Sequence, residues 1–309
     1  MTYQNPVFAE YFADPFVWRA QGEYFAIGTG ALEAGGQVEQ PGTPGVFPLL
    51  RSHDLVQWQR AGKALLRPDA ALGDTFWAPE VIEQAGRFYL YYSVGFADRL
   101  HQLRVAVSNS PLGPYLDEAG LTDLHHCAFA IDPHPFRDRD GRVYLFHARD
   151  FLDGTRVGTA LVVHELFGMT TLAHEGRTVL RARSEWQRFL ANREMYGGVY
   201  DWHTLEGPCT VKRMGRYWCV YSGGNWQNET YGVDFCVADH PLGPFECGEG
   251  DAPRLLKTRP GLVGPGHTSI VTDREGQDWI AYHAWFDGKR KMCLDRLEWT
   301  AEGPSVAQA

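Results

Sequence analysis

No window of this 309-residue chain approaches the ~18 consecutive apolar residues that a membrane-spanning helix needs,. The amino terminus, MTYQNPVFAEYFADPF, lacks a basic start followed by an apolar run, so no secretory signal is read there and a cytoplasmic location is expected,. The six cysteines (Cys127, Cys209, Cys219, Cys236, Cys247 and Cys293) form no CxxC pair and have no histidine-rich partner spacing, which speaks against zinc,. Free thiols in a reducing compartment are the expectation. Positive charge is also scarce. With 29 Lys+Arg against 38 Asp+Glu the net charge is −9, and no basic stripe offers nucleic acid or an anionic membrane a footing. Arg181, Arg183, Arg188 and Arg193 are diluted by Glu185 and Glu194 and read as a solvated loop. Helix-forming Ala/Leu/Glu/Lys blocks are few. In their place stand 34 Gly, 18 Pro and 13% aromatics, the composition of many short strands joined by tight turns.

Five passages share one design: a polar or small residue, an apolar stretch, a turn with Gly, then an aromatic-rich strand. They begin at Asp14, Ala78, Asp132, Glu206 and His267, and their turn glycines are Gly22, Gly86, Gly141, Gly215 and Gly276. Runs such as Phe88-YLYYSV and Tyr217-WCVYS fit half-buried or fully buried strands,. Related corners follow, as in SHDLVQW (52–58), SNSPLGPY (108–115) and ADHPLGPF (238–245), where Pro and Gly end the strand. A repeat of about 60 residues with three or four antiparallel strands is a propeller blade. The expected fold is therefore all-β, a five-bladed β-propeller filling residues 1–309 as a single domain, with a β-sandwich as the rival. The stretches 31–45 and 176–205 are expected as irregular excursions, the second a loop or short helix over one face.

The residues opening the five units lie eight or nine positions ahead of their turn glycines. The first strand of each blade lines the axis, so Asp14, Ala78, Asp132, Glu206 and His267 should converge at one end of the ring. Taken singly, Asp-Pro and Glu-Gly-Pro open turns more often than they catalyse. As a convergent set the three acids repel one another and resist desolvation, which a purely structural site has no reason to bear. Cleavage of a glycosidic bond needs such a set: one carboxylate ionised to activate water, one carboxylic acid to protonate the leaving oxygen, and a third to separate their pKa values.

The segments Ala-Asp14-Pro, Phe-Trp77-Ala-Pro-Glu, Ile-Asp132-Pro-His, Glu206-Gly-Pro and Gly-Pro-Gly-His267-Thr-Ser-Ile, one per blade and in order, resemble glycoside hydrolase family 43. The resemblance covers essentially the whole chain. It implies a five-bladed propeller acting as an α-L-arabinofuranosidase, β-xylosidase or arabinanase with inversion at the anomeric carbon. It makes Asp14 the general base, Glu206 the general acid and Asp132 the group that raises the pKa of Glu206 and orients it. Inversion then calls for roughly 6.5–9.5 Å between the carboxyls of Asp14 and Glu206. Arg290, in GKRKMCLDRLEW, is similar to the family's sugar-binding arginine, with a surface Lys/Arg run as the plain alternative. Trp77 is placed as an aromatic wall for the sugar or as packing. His267 resembles an axial histidine that binds a calcium-centred water cluster or lies beneath the acid pair; no cofactor is required for the chemistry. Tyr89, Tyr91, Trp218 and Trp279 are read as blade packing.

Sucrose- and fructan-cleaving propellers fit less well, because Glu206 is followed by Gly-Pro rather than Cys. A phosphate-dependent mannoside phosphorylase would need an axial cationic cluster that the sequence does not display. A non-catalytic carbohydrate-binding propeller would favour amides and aromatics over three acids. The reading is an exo-acting inverting glycosidase whose partner is a short pentose-containing oligosaccharide, α-L-arabinofuranoside before β-xyloside. Oligomeric state is left open.

Overall fold

The computed structural model describes residues 3–31, 44–122, 127–173 and 176–307. Five antiparallel meanders follow one another along the chain. Blade I comprises Ala13–Ala20, Glu23–Thr29, Pro44–Ser52 and Gln59–Leu66; blade II comprises Thr75–Gln84, Arg87–Phe96, Arg99–Ser108 and Leu116–Gly120. Blade III comprises Ala130–Arg137, Val143–Phe151 and Gly158–Phe167, with the short outer strands Thr171–Leu172 and Arg177–Leu180. Blade IV comprises Gly198–Arg213, Arg216–Gly223, Gly232–Ala238 and Glu246–Cys247; blade V comprises Val263–Thr272, Asp278–Phe286, Lys289–Thr300 and Gly303–Val306. The first strand of each blade packs against the first strand of the next, and that of blade V against that of blade I, so the ring closes. The fold is the five-bladed propeller that the repeats imply.

Apolar residues between blades hold the ring together. Trp18, Phe25, Phe47, Phe76 and Tyr92 fill the space between blades I and II, and Tyr89, Tyr91, Leu103 and Leu145 that between II and III. Trp218, Val220, Tyr282 and Leu297 pack IV on V, and Tyr24, Leu50, Trp279 and Leu294 pack V on I. The second-strand aromatics Tyr89, Tyr91, Trp218 and Trp279 are thus packing residues, as expected. Residues 5–12 then run along the third strand of blade V, with Val7 N–H donating to the Met292 carbonyl and Phe12 N–H to that of Arg290.

The turn glycines explain a one-residue irregularity in the repeats. All five have φ between +79° and +88°, a conformation that costs a side-chain-bearing residue about 1–2 kcal/mol. In blades I, II and IV they close two-residue hairpin loops: Gln21-Gly22, Ala85-Gly86 and Met214-Gly215. In blades III and V, Asp138 N–H donates to the Arg142 carbonyl and Asp273 N–H to that of Gln277, making the loop one residue longer. An axial residue therefore lies eight positions before a short-loop glycine and nine before a long-loop one.

Two expectations change. The stretch 176–205 is not a loop: after a single 3-10 turn at 185–187, Arg188–Met195 pairs with the start of Gly198–Arg213 as a hairpin. Its arginines are engaged, Arg181 with Asp153, Arg183 with the carbonyls of Cys247 and Gly248, and Arg193 with Asp98 of blade II. The stretch 31–45 lies, apart from its ends, outside the described residues. The second change is at the cysteines. Cys236 and Cys247 face each other across the outer strands of blade IV and are joined by a disulfide, while Cys127, Cys209, Cys219 and Cys293 are free. Scattered spacing hid a pair that strand register brings together.

Candidate active site

Each innermost strand carries a bulge at the same place. Asp14-Pro15, Ala78-Pro79, Asp132-Pro133, Gly207-Pro208 and His267-Thr268 each stand opposite one residue of the second strand. Proline, which cannot donate to a ladder, is at home in a bulge. The first residue of each pair has positive φ, between +46° and +58°. The true equivalent of Asp14, Ala78, Asp132 and His267 is therefore Gly207, not Glu206. Glu206 occupies the preceding position, which in the other blades holds Ala13, Trp77, Ile131 and Gly266. The eight-or-nine spacing concealed this, because blade IV has the short loop.

Bulging leaves the first N–H of the pair without a ladder partner, and in four of the five blades the preceding blade supplies one. Ala78 N–H donates to Thr29 Oγ1 (2.9 Å), His267 N–H to Ser222 Oγ (2.7 Å) and Asp14 N–H to His283 Nδ1 (3.1 Å). Thr29, Ser222 and His283 hold the same position on their second strands. In blade III that position is Ala148, which has nothing to accept with. Instead the Asp132 carboxylate takes the Gly207 N–H on Oδ2 at 2.9 Å. Asp132 is thus fixed beside the residue that follows Glu206.

Asp14, Asp132, Glu206, His267 and Arg290 meet at one mouth of the ring. Asp14, Asp132 and His267 are 8%, 6% and 5% exposed, deep enough for charge to matter. His267 Nδ1 lies 3.4 Å from Asp14 Oδ1 and 3.9 Å from Asp132 Oδ2; His283 Nδ1 is 3.3 Å and Arg290 Nη1 3.4 Å from Asp14 Oδ1. Burial opposes the Asp14 charge, but His267 and Arg290 outweigh it and hold its carboxyl well below the usual carboxylate range,. Asp132 behaves oppositely. Burial, then the charges of Glu206 and Asp14, push it well above that range. Burial also lifts Glu206, with Asp14 adding to the rise and the Tyr231 hydroxyl and Arg290 restraining it, to about 7. The three acids are therefore driven apart: one charged, the others inclined to keep a proton.

Arg290 belongs to this cluster rather than to a surface run. Its Nη2 donates to Tyr11 Oη at 2.7 Å, and its guanidinium lies 4.4 Å from the Trp226 ring centroid. Trp226 in turn stacks on Trp285. Trp77 is half-buried, with one face covered by His101 at 3.7 Å between centroids. Below Asp132, His134 Nδ1 meets Glu80 Oε2 at 2.7 Å and its Nε2 accepts the Thr210 N–H at 2.9 Å. The ring nitrogen of His267 faces carboxylates that other groups also hold. Among the described residues no three His, Cys, Asp or Glu side chains are grouped to hold a metal. Calcium takes six to eight oxygen ligands, and this donor set does not fit it.

Tyr231, His283, Tyr11 and Trp226 were not found from the sequence. Their only trace there is positional: His283 follows the second-strand aromatic of blade V as Ser222 follows that of blade IV.

A sequence model described as glycosyl hydrolases family 43 matches residues 3–304. The chain is 36% identical to a β-xylosidase of Xylanibacter ruminicola over 74% of this chain and 72% of that one. It is 27% identical to the β-D-galactofuranosidase xynD of Aspergillus niger over 97% and 83%, and 26% identical to an extracellular exo-α-(1→5)-L-arabinofuranosidase of Streptomyces chartreusis over 91% and 82%. Among solved structures, a thermostable family-43 glycoside hydrolase superposes with a TM-score of 0.83 at 28% identity, covering 100% of this chain and 96% of that one. The propeller, its ordered motifs and these likenesses agree: the chain belongs to glycosyl hydrolase family 43 and is a glycoside hydrolase.

Proposed function

We propose that the protein is an inverting exo-glycosidase that releases a terminal α-L-arabinofuranosyl residue from a short oligosaccharide. The observation that carries the reading is the opposed electrostatics of Asp14 and Glu206 at one mouth. Asp14, held ionised by His267 and Arg290, accepts a proton from water as the water oxygen bonds to the anomeric carbon. Glu206, kept protonated by burial, donates its proton to the glycosidic oxygen as the carbon–oxygen bond breaks. Asp132 anchors the Gly207 amide, and the Asp14 charge joins burial in discouraging ionisation of Glu206,. Arg290 and Trp77 are assigned to hold the sugar, one by a hydrogen-bonding fork and the other by a ring face. Two relatives that match over nine-tenths of this chain are furanosidases by name, and α-L-arabinofuranose and β-D-galactofuranose share the same ring stereochemistry. The second reading is a β-xylosidase, favoured by the 36% identical relative of that name.

The test compares 4-nitrophenyl α-L-arabinofuranoside, β-D-galactofuranoside and β-D-xyloside, with the first-formed anomer followed by proton NMR. The arabinofuranoside should be cleaved fastest, with inversion. A retained anomer would overturn the mechanism, and a faster xyloside would move the substrate to the second reading. Glu206→Gln should lower kcat for the preferred substrate by about 10²–10⁴-fold while sugar binding persists. A lectin would show no turnover to lose.

A further inference from the structure

We propose that Tyr231 is a positioning residue that fixes which oxygen of Glu206 carries the acid proton, a proposal that rests on the reading above. Tyr231 stands just ahead of the third strand of blade IV yet sends its ring across to blade V. There it lies against Gly266, where even a β-carbon would overlap the ring, and stacks on His283 at 5.8 Å and 11° between planes. Gly266 holds in blade V the position that Glu206 holds in blade IV. The glycine thus empties that place, and the neighbouring blade's tyrosine fills it. From there the Tyr231 hydroxyl, on a residue only 1% exposed, donates to Glu206 Oε1 at 2.7 Å.

A hydroxyl that donates to Oε1 leaves Oε2 to bear the proton. In the transfer, the Oε2–H bond breaks, its proton joins the departing glycosidic oxygen, and the electron pair left on the carboxylate is met at Oε1 by the Tyr231 O–H. The bond therefore strengthens as charge develops, which is where a hydrogen bond accelerates a reaction. The ring's place is over-determined. Asn225 Oδ1 caps Gln227 N–H, Asn228 Oδ1 caps Thr230 N–H, and Trp285 Nε1 donates to the Trp226 carbonyl, pinning the 225–231 turn to blade V. The other charged and titratable groups around Glu206 are Asp14, Asp132, Arg290 and His267, the last packed on Gly207.

The experiment is Tyr231→Phe, which keeps the ring and removes the donor, assayed on aryl α-L-arabinofuranosides of graded leaving-group basicity. kcat should fall about 10–100-fold for 4-methoxyphenyl and several-fold less for 2,4-dinitrophenyl, whose departure needs little protonation. Gly266→Ala, displacing the ring, should reproduce that slope if its thermal transition shows it folded. An equal loss across leaving groups, or none, overturns the proposal. Should the wild type cleave no aryl pentoside, the function fails separately. The proposal is then read from carbon-13 titration of the Glu206 carboxyl, which Tyr231→Phe should move upward and which an unchanged titration would refute.

Discussion

Asp14 keeps its charge in a dry place because Arg290 and His267 both face one of its oxygens, so the pH dependence of turnover can be worked out from its neighbours. On the proposed mechanism Asp14 must be ionised, so activity should be lost as pH falls through its folded pKa, which lies well below the usual carboxylate range. Glu206 must by the same mechanism be protonated, so activity should be lost as pH rises through about 7. Turnover should thus hold on the acid side and decline around neutrality. Arg290→Gln removes a cation from both acids, so Asp14 and Glu206 should each titrate higher and the whole kcat/KM profile should move to higher pH. A profile that falls in rate without moving would show that Arg290 acts on the sugar alone. Asp14 and Asp132 were legible in the sequence because acids stand at repeat positions, Glu206 because it lies one residue from such a position, and Arg290 only through the resemblance. Tyr231 and His283 were not, since an aromatic or histidine among 13% aromatics declares a role only through what it touches.

The hairpins are the elements that sequence reads best here, and the bulges those it reads least well. Turn glycines located every blade because positive φ restricts residue choice. The bulge is a matter of register, and one extra loop residue in blades III and V was enough to set Glu206 level with Asp14 when it is one position ahead. The first strands of blades II, III and IV are also joined by a buried triple contact, Glu80 to His134 to the Thr210 backbone. Burial raises Glu80, whereas Glu80 and its hydrogen bond more than offset the effect of burial on His134 and raise it. His134→Ala leaves a buried carboxyl without its partner, and should destabilise the fold by about 3–5 kcal/mol. Differential scanning calorimetry should find the transition lower by about 10 °C. A change within a degree or two would mean that the Glu80 carboxyl is already neutral and content alone.

At the scale of the molecule, the ring closes where the first strand of blade V meets that of blade I, residues 5–12 lie along blade V, and apolar residues pack between neighbouring blades. The disulfide was not legible, because an eleven-residue separation acquires meaning only once the outer strands are in register. Denatured protein should titrate four thiols before reduction and six after it; six before reduction would show the bond absent. The hairpin 188–203 reaches from blade IV over to Asp98 and, through Tyr196, to Asp150 of blade III. Arg193→Ala, which cuts the hairpin's tie to Asp98, should raise KM for an arabino-oligosaccharide more than for its aryl monoglycoside if the hairpin borders the outer sugars; equal effects would show that it does not. One last consequence concerns Ala78. Its amide is held by Thr29 just as the amides of residues 14 and 267 are held by their own neighbours, so the backbone there does not depend on which side chain it bears. Three of the five sockets hold their amide from the neighbouring second strand, and the one of these fitted with a bare methyl is a vacancy in which a new reacting group could be installed by a single replacement, with no loop rebuilt.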